Sequence, residues 1–168
     1  MVIEIGEKAP NFELVDTELK FRTLDEFKGK KVVISFFVAA SSPVCEVELC
    51  TFRDKWNEIS ELGAQVIAIS NDGPFANKAF AEKNNYNFPY VQDPRSQLAS
   101  EFGATKTPHI YLFDNNDVLV YRGAIDDNAR DARTVEEPFL ANAIDQLLSG
   151  RSIEKPTSKA IGCSIKFP

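Results

Sequence analysis

Cysteine, histidine, positive charge and long apolar runs are all in short supply in this 168-residue chain. It contains three cysteines, Cys45, Cys50 and Cys163, and a single histidine, His109. Three is an odd and small number for a disulfide-stapled secreted scaffold. One histidine and three scattered cysteines also fall short of a zinc-ligand set, so no metal and no other cofactor is expected. That leaves packing, or redox and catalytic chemistry, as the reasons to carry the thiols. No stretch approaches the ~18 consecutive apolar residues of a membrane-spanning helix, and the opening MVIEIGEKAP has neither the basic start nor the apolar run of a signal peptide. A cytoplasmic protein with no membrane partner is the expectation. Lysine and arginine number 19 against 25 aspartates and glutamates, a net charge of −6. That balance disfavours nucleic acid or an anionic membrane as a partner.

What is present suits a folded enzyme-sized unit. The chain is 43% apolar and 26% charged, as globular proteins are, and its length fits one domain over 1–168 with a polar tail at 151–168. Residues 12–15 read as a short strand and 23–29 as a single helical turn closing at Gly29. The run 31–38, KVVISFFV, is apolar almost throughout, like a strand covered on both faces of its sheet. Ser42 then caps a helix with Pro43 in its first turn. Its apolar positions Val44, Leu49, Phe52, Trp56 and Ile59 keep helical spacing, and Leu62-Gly63 closes it. Strand 64–70, helix 74–84, a short strand at 90–91 and helix 96–102 follow. After Thr107-Pro108, 109–113 and 118–122 form an antiparallel hairpin about the turn 114–117, and a last helix spans 135–148. The aromatic residues Phe36, Phe37, Phe52, Trp56, Phe75 and Phe80 are assigned to the core. The order predicts an α/β chain of thioredoxin-like fold, a central mixed sheet flanked by helices with an N-terminal extension.

Cys45 falls at the third position of the helix that Ser42 caps. The first N–H groups of a helix lack intrahelical partners and carry the positive end of its dipole. A thiolate there is stabilised, so Cys45 is expected to ionise more readily than a free cysteine. The position follows an apolar strand, at the carboxyl edge where open α/β sheets place their sites. A cysteine kept only for packing fits better in mid-helix. Cys45 is therefore the expected reactive centre.

The stretch FFVAASSPVCEVELCTFRD resembles the active-site segment of the peroxiredoxins, whose signature is Pro-x-x-x-Thr/Ser-x-x-Cys. Ser42 and Cys45 match its last two fixed positions, and Glu48 matches the usual glutamate three residues on; the signature's proline is Val38 here. The resemblance implies a thiol peroxidase acting on hydrogen peroxide or an organic hydroperoxide. Cys45 would attack the O–O bond and become sulfenic acid, Ser42 would hydrogen-bond peroxide and thiolate, and Pro43, Val44 and Glu48 would border the substrate. It also implies a thioredoxin- or glutaredoxin-type protein as reductant, and a monomer or homodimer. Set against the dithiol motif Cys-x-x-Cys, Ser42 stands where the first cysteine would be, which argues against a simple disulfide reductase. A thioredoxin-like thiol–disulfide oxidoreductase or redox sensor acting on protein thiols, and a binding module without turnover, are the alternatives.

Cys50 follows Cys45 by five residues, as in the bacterioferritin-comigratory subgroup of that family, where the second cysteine resolves the sulfenic acid as an intramolecular disulfide. Five residues along an ideal helix separate Cα atoms by ~8.6 Å, beyond the ~7 Å that a disulfide spans. The bridge therefore requires the helix start to unwind. Packing is the other reading of Cys50. Cys163 competes for the resolving role, since the ending AIGCSIK, the Thr-Pro-His stretch and the run VYRGAIDD resemble a second peroxiredoxin-like group.

Where peroxiredoxins usually place a peroxide-polarising arginine, this chain has Pro108. Thr107-Pro108 resembles instead the cis-proline loop of thioredoxins, which faces the reactive cysteine and binds extended thiol substrates through its backbone. Arg133-Thr134-Val135-Glu136-Glu137 resembles the family's Arg-Ser-Val-Asp-Glu, whose arginine reaches the site. Arg122 is expected opposite His109 in the hairpin, beside the same loop. Either arginine can favour the Cys45 thiolate through its charge, or be a solvated surface residue. The missing proline and arginine imply slower peroxide turnover than the family norm. A Cys–His pairing through His109 has no evident Asn or Asp to orient it, and His109 is read as structural.

Overall fold

The computed structural model describes residues 2–27, 29, 31–37, 50, 53–54, 61, 63–128, 132–160 and 163–165. Its frame is a seven-stranded mixed sheet in the order β2-β1-β5-β4-β3-β7-β8. β1 is Glu13–Asp16, β2 Phe21–Thr23, β3 Lys31–Phe37, β4 Ala64–Ser70, β5 Tyr90–Gln92, β7 His109–Phe113 and β8 Leu119–Gly123. β3, β4 and β5 run parallel, and the flanking pairs are antiparallel. A separate two-stranded ladder joins β6, Lys106–Thr107, to β9, Cys163–Ser164.

The β-branched runs of β3 and β4 sit at the centre of the sheet because both of their faces are covered. Alternation along them feeds two cores. On one face Val33, Val66 and Ala68 join Ile110, Leu112 and Tyr121 beneath α1 (Pro74–Lys83) and α3 (Phe139–Leu148), which contribute Phe80, Leu140 and Ile144. On the other, Val32, Ile34, Ile67 and Ile69 meet α2 (Gln97–Phe102) and the N-terminal segment through Leu98, Ile3 and Phe12. Phe36, Phe102, Tyr111 and Phe113 pack there edge to face, with ring centroids 5.1 to 5.9 Å apart.

Local chemistry moves several boundaries from those expected. β2 is an additional strand. It is set up by a turn in which Asp16 Oδ1 accepts the N–H groups of Glu18 and Lys20 while Leu19 takes a left-handed φ of 61°. α3 begins at Phe139 rather than 135, because Pro138 stands at its N-cap and the residue before a proline avoids helical backbone. Phe75 is 77% exposed, not core. The buried face of α1 is Asn77, Phe80 and Asn84, and Phe75 falls on the opposite side. Arg122 pairs with Tyr111, not His109. The connecting loop is asymmetric, with Asp114 Oδ1 accepting from the backbone of Asn116 and Val118, Asp117 left-handed, and the register shifting between Leu112 and Phe113.

The tail is tied down at 156–158 and again at 163–165. Arg122 N–H donates to Pro156 O at 2.9 Å, Ser158 N–H to Arg122 O at 3.1 Å, and Ile165 N–H to Thr105 O at 3.0 Å. Gly6 N–H donates to Leu119 O and Leu119 N–H to Glu7 O. Tail and N-terminal segment thus share the outer edge of β8, which would otherwise offer unpaired backbone groups. Among the described residues no helix is long and apolar enough to cross a membrane.

Candidate active site

β3 carries the chain to the carboxyl edge of the sheet at Phe37. Residues 38–49, with Ser42, Pro43, Val44, Cys45 and Glu48, lie outside the described residues. The edge they leave from is well defined. Phe36 pairs with His109, so the Thr107–Pro108 peptide, immediately before β7, lies level with the end of β3. That peptide is cis; Thr107 is 0% exposed and Pro108 is buried. The backbone of Thr107 pairs in turn with that of Cys163, which lays the tail alongside the loop.

The neighbouring β4–α1 turn is braced by polar side chains. Ser70 Oγ donates to Asn77 Oδ1 at 2.9 Å, and Asn77 Nδ2 donates to Asp72 O at 3.2 Å. Asp93 N–H donates to Ser70 O at 2.7 Å. The Asp93 carboxylate accepts the N–H groups of Leu98 and Ala99, each at 2.9 Å, which caps α2. Burial raises the Asp93 pKa above its ordinary value, against the pull of those donors.

Cys50 is half-buried and rests on the end of α1. Its S–H donates to Asn84 Oδ1 at 3.8 Å, and Asn84 Nδ2 donates to Phe80 O at 3.0 Å. Arg53, three residues on, donates from Nη1 to Asn84 O at 2.7 Å. Its hydrogen bond to Asp54 raises its pKa. Among the described residues the thiol is thus held by one weak contact beside the Arg53 guanidinium, an arrangement from which it can be released. Arg53 and Asn84 are absent from the residues expected at the site. Their signal was available for Asn84: asparagines at Asn77 and Asn84 share a buried helix face with Phe80, and buried amides come with built partners.

Arg122 donates from Nη1 to Ile3 O at 2.9 Å and pairs with Glu4 at 3.3 Å. Standing opposite Tyr111, it is diagonal to His109 on the same face. Burial, and then the Arg122 charge, lower the His109 pKa from 6.5 to about 4, so the imidazole is neutral at pH 7. Its ring stacks on Tyr111 at 4.8 Å. Burial pushes the Tyr111 hydroxyl up, and it donates to Phe102 O at 3.1 Å. Thr107, Pro108, His109 and Arg122 are therefore gathered around one loop, and Cys50 is placed on the end of α1. Arg133 is exposed on a one-turn helix, Ala132–Thr134.

The sequence pattern of the AhpC/TSA family matches residues 5–122. The putative peroxiredoxin bcp of Coxiella burnetii is 38% identical over 103 residues, covering 61% of this chain and 68% of that protein. Further curated relatives are matched over 65% and 46% of their length, so the chain spans about half to two thirds of them. Among solved structures, an uncharacterized conserved protein from Geobacillus kaustophilus superposes with a TM-score of 0.88 at 29% identity, over 98% of this chain and 93% of that one. The peroxidoxin BcpB of Mycobacterium tuberculosis superposes at 0.74 and 25% identity, over 89% and 99%. The mixed sheet with flanking helices is the thioredoxin-like fold.

Proposed function

This chain belongs to the AhpC/TSA family, and from that premise we propose that it is a peroxiredoxin-type thiol peroxidase of the bacterioferritin-comigratory kind, working through Cys45. The observation that carries the reading is that the matched span, 5–122, contains both Cys45 and Cys50. In the first step the Cys45 thiolate attacks the terminal oxygen of a hydroperoxide. The O–O bond breaks, water or an alcohol leaves after taking a proton, and Cys45 is oxidised to sulfenic acid. Cys50 then leaves Asn84, its sulfur attacks the sulfenic sulfur, and water departs with the hydroxyl and the Cys50 proton. The resulting disulfide is returned to two thiols by a dithiol protein of thioredoxin or glutaredoxin type, itself oxidised. Such a cycle suits the reducing cytoplasm. In this reading Ser42 hydrogen-bonds the thiolate, Arg133 and Arg122 supply positive charge, and Pro43, Val44, Glu48, Thr107 and Pro108 border the substrate.

The test is hydrogen peroxide consumption coupled to thioredoxin and its reductase, comparing wild type with Cys45→Ser and Cys50→Ser. Cys45→Ser should abolish consumption, and Cys50→Ser should accumulate sulfenic acid and recycle slowly. If peroxide is lost no faster with wild type than with Cys45→Ser, while a protein disulfide is reduced, the function is thiol–disulfide exchange instead.

A further inference from the structure

α1 ends in a tightly closed turn. Past its last helical residue, Lys83, Asn84 stands at the C-cap and Asn85 takes a left-handed φ of 54°. Tyr86 N–H donates to Ala81 O at 2.9 Å and Asn85 N–H to Glu82 O at 3.3 Å, the two bonds that close a helix whose next residue is left-handed. The Tyr86 ring packs edge to face on Phe80, with centroids 5.7 Å apart, and fixes the turn to the core. Asn84 O lies beyond these bonds and accepts from outside the helix.

Two side chains of the Cys50 segment reach that one residue. Cys50 and Arg53 are both helical, and three positions apart they share a helix face. Cys50 meets the Asn84 side chain through an S–H contact of 3.8 Å. Arg53 Nη1 donates to the Asn84 carbonyl at 2.7 Å, and its Nε donates to Asp54 Oδ1 at 2.9 Å. A thiol is a weak donor, whereas the guanidinium bond is charge-assisted and meets the negative end of the α1 dipole. One turn thus separates a weak contact from a strong one. The helix start that has to unwind for a Cys45–Cys50 bridge lies on the weak side.

We propose that Arg53 is a positioning residue of the resolving step: it stays on the end of α1 while Cys50 leaves, so that unwinding stops short of Arg53 and the thiol swings about a fixed base. The inference rests on the assignment of Cys50 as the resolving thiol. With Arg53 in place only the backbone ahead of it is released. Less conformational freedom then has to be lost again when the disulfide is reduced and the helix re-forms.

Hydrogen exchange of the full chain, reduced and after one equivalent of peroxide, tests this in peptides covering 55–63. Oxidised wild type should keep the protection of the reduced form there. Oxidised Arg53→Ala should exchange about tenfold faster than oxidised wild type, through the loss of one charge-assisted hydrogen bond. In the reduced form, where the intact helix start also holds the segment, the acceleration should stay below about threefold. Arg53→Lys keeps a cation for the Asn84 carbonyl and should restore most of the oxidised protection. A residue kept for stability alone would loosen both redox forms alike, so equal acceleration in the two overturns the proposal. So does an oxidised wild type already open across 55–63, or an oxidised Arg53→Ala as protected as wild type. Peptide mapping of the same samples identifies the bridge. A wild type without a Cys45–Cys50 disulfide overturns the resolving assignment and this inference with it, whereas the exchange outcomes overturn this inference alone.

Discussion

Thr107 and Cys163 face each other in an antiparallel pair, so the tail backbone is locked beside the peptide that precedes β7. Ile165 extends the lock by donating to Thr105 O. A cysteine held by strand pairing can move only by breaking that pairing; Cys50 has a helix start to unwind instead, and among the described residues its thiol is restrained by one weak S–H contact to Asn84. The expected disulfide after one equivalent of peroxide is therefore Cys45–Cys50, with Cys163 still open to alkylation. Peptide mapping by mass spectrometry measures this directly, and a Cys45–Cys163 bridge would transfer the resolving role to the tail.

Asn84→Ala removes both the acceptor that holds Cys50 and the Nδ2 bond to Phe80 O. The C-terminal end of α1 loses these two hydrogen bonds, while Asn77 keeps its own to Ser70 and Asp72, and stability should fall by about 1–2 kcal/mol in urea denaturation. Disulfide formation after a peroxide pulse should become faster, because Cys50 no longer has to be released. Quenched-flow thiol counting reads that rate. A slower rate would mean that Asn84 positions Cys50 rather than restrains it.

The frame was legible in the chain because it rests on strong local patterns. The largely apolar, β-branched runs of β3 and β4 read as central strands, and the Pro-led helix, the hairpin and the α/β order followed from turn chemistry and spacing. What escaped depended on contacts remote in sequence. The binding of 156–158 to β8 needs Arg122 and Ser158 side by side, which a polar tail does not announce. The hairpin register turns on the backbone state of Asp117 and two bonds to Asp114, so a symmetric reading misplaces Arg122 by two residues. At the site, helix-start chemistry singles out Ser42-Pro43-Val44-Cys45, which lie outside the described residues, while the buried Asn84 and the Arg53 guanidinium beside Cys50 emerge only when α1 packs.

Gly123 makes room for the tail. Its φ is +143°, and a Cβ there would stand 2.6 Å from the carbonyl oxygen of Ser158. Gly123→Ala therefore sets a side chain against backbone that cannot yield without undocking the tail, and should cost about 1–3 kcal/mol. Ser158 Oγ also bonds Tyr121 Oη at 2.7 Å and accepts from Ala124 N–H at 2.9 Å. Ser158→Ala should cost less than Gly123→Ala, since Tyr121 keeps its bond to Ala124 O. Limited proteolysis checks the mechanism: both variants should be cut within 151–160 sooner than wild type, Gly123→Ala first. Equal resistance of all three would show that the tail contributes nothing to docking at Gly123.

Stability should fall as pH drops from 6.5 to about 4, with His109 as a cause. Its folded pKa is lowered from 6.5 to about 4 by burial and Arg122. Between those values the unfolded chain binds a proton that the folded one refuses, so the unfolding free energy rises with pH across the window. Integrated, the effect reaches about 3 kcal/mol at most. Asp93 works with the opposite sign. Its pKa is raised by burial, so the stability linked to it is complete below its unfolded value of 3.8 and fades as pH climbs through the folded one. Comparing pH profiles of wild type and His109→Phe separates the two, because the substitution deletes one titration and leaves the other. The variant's unfolding free energy should lose its rise between pH 4 and 6.5, whatever its absolute stability. If the two profiles stay parallel across that window, the imidazole protonates in the folded chain as readily as in the unfolded one, and the case for a buried neutral His109 fails.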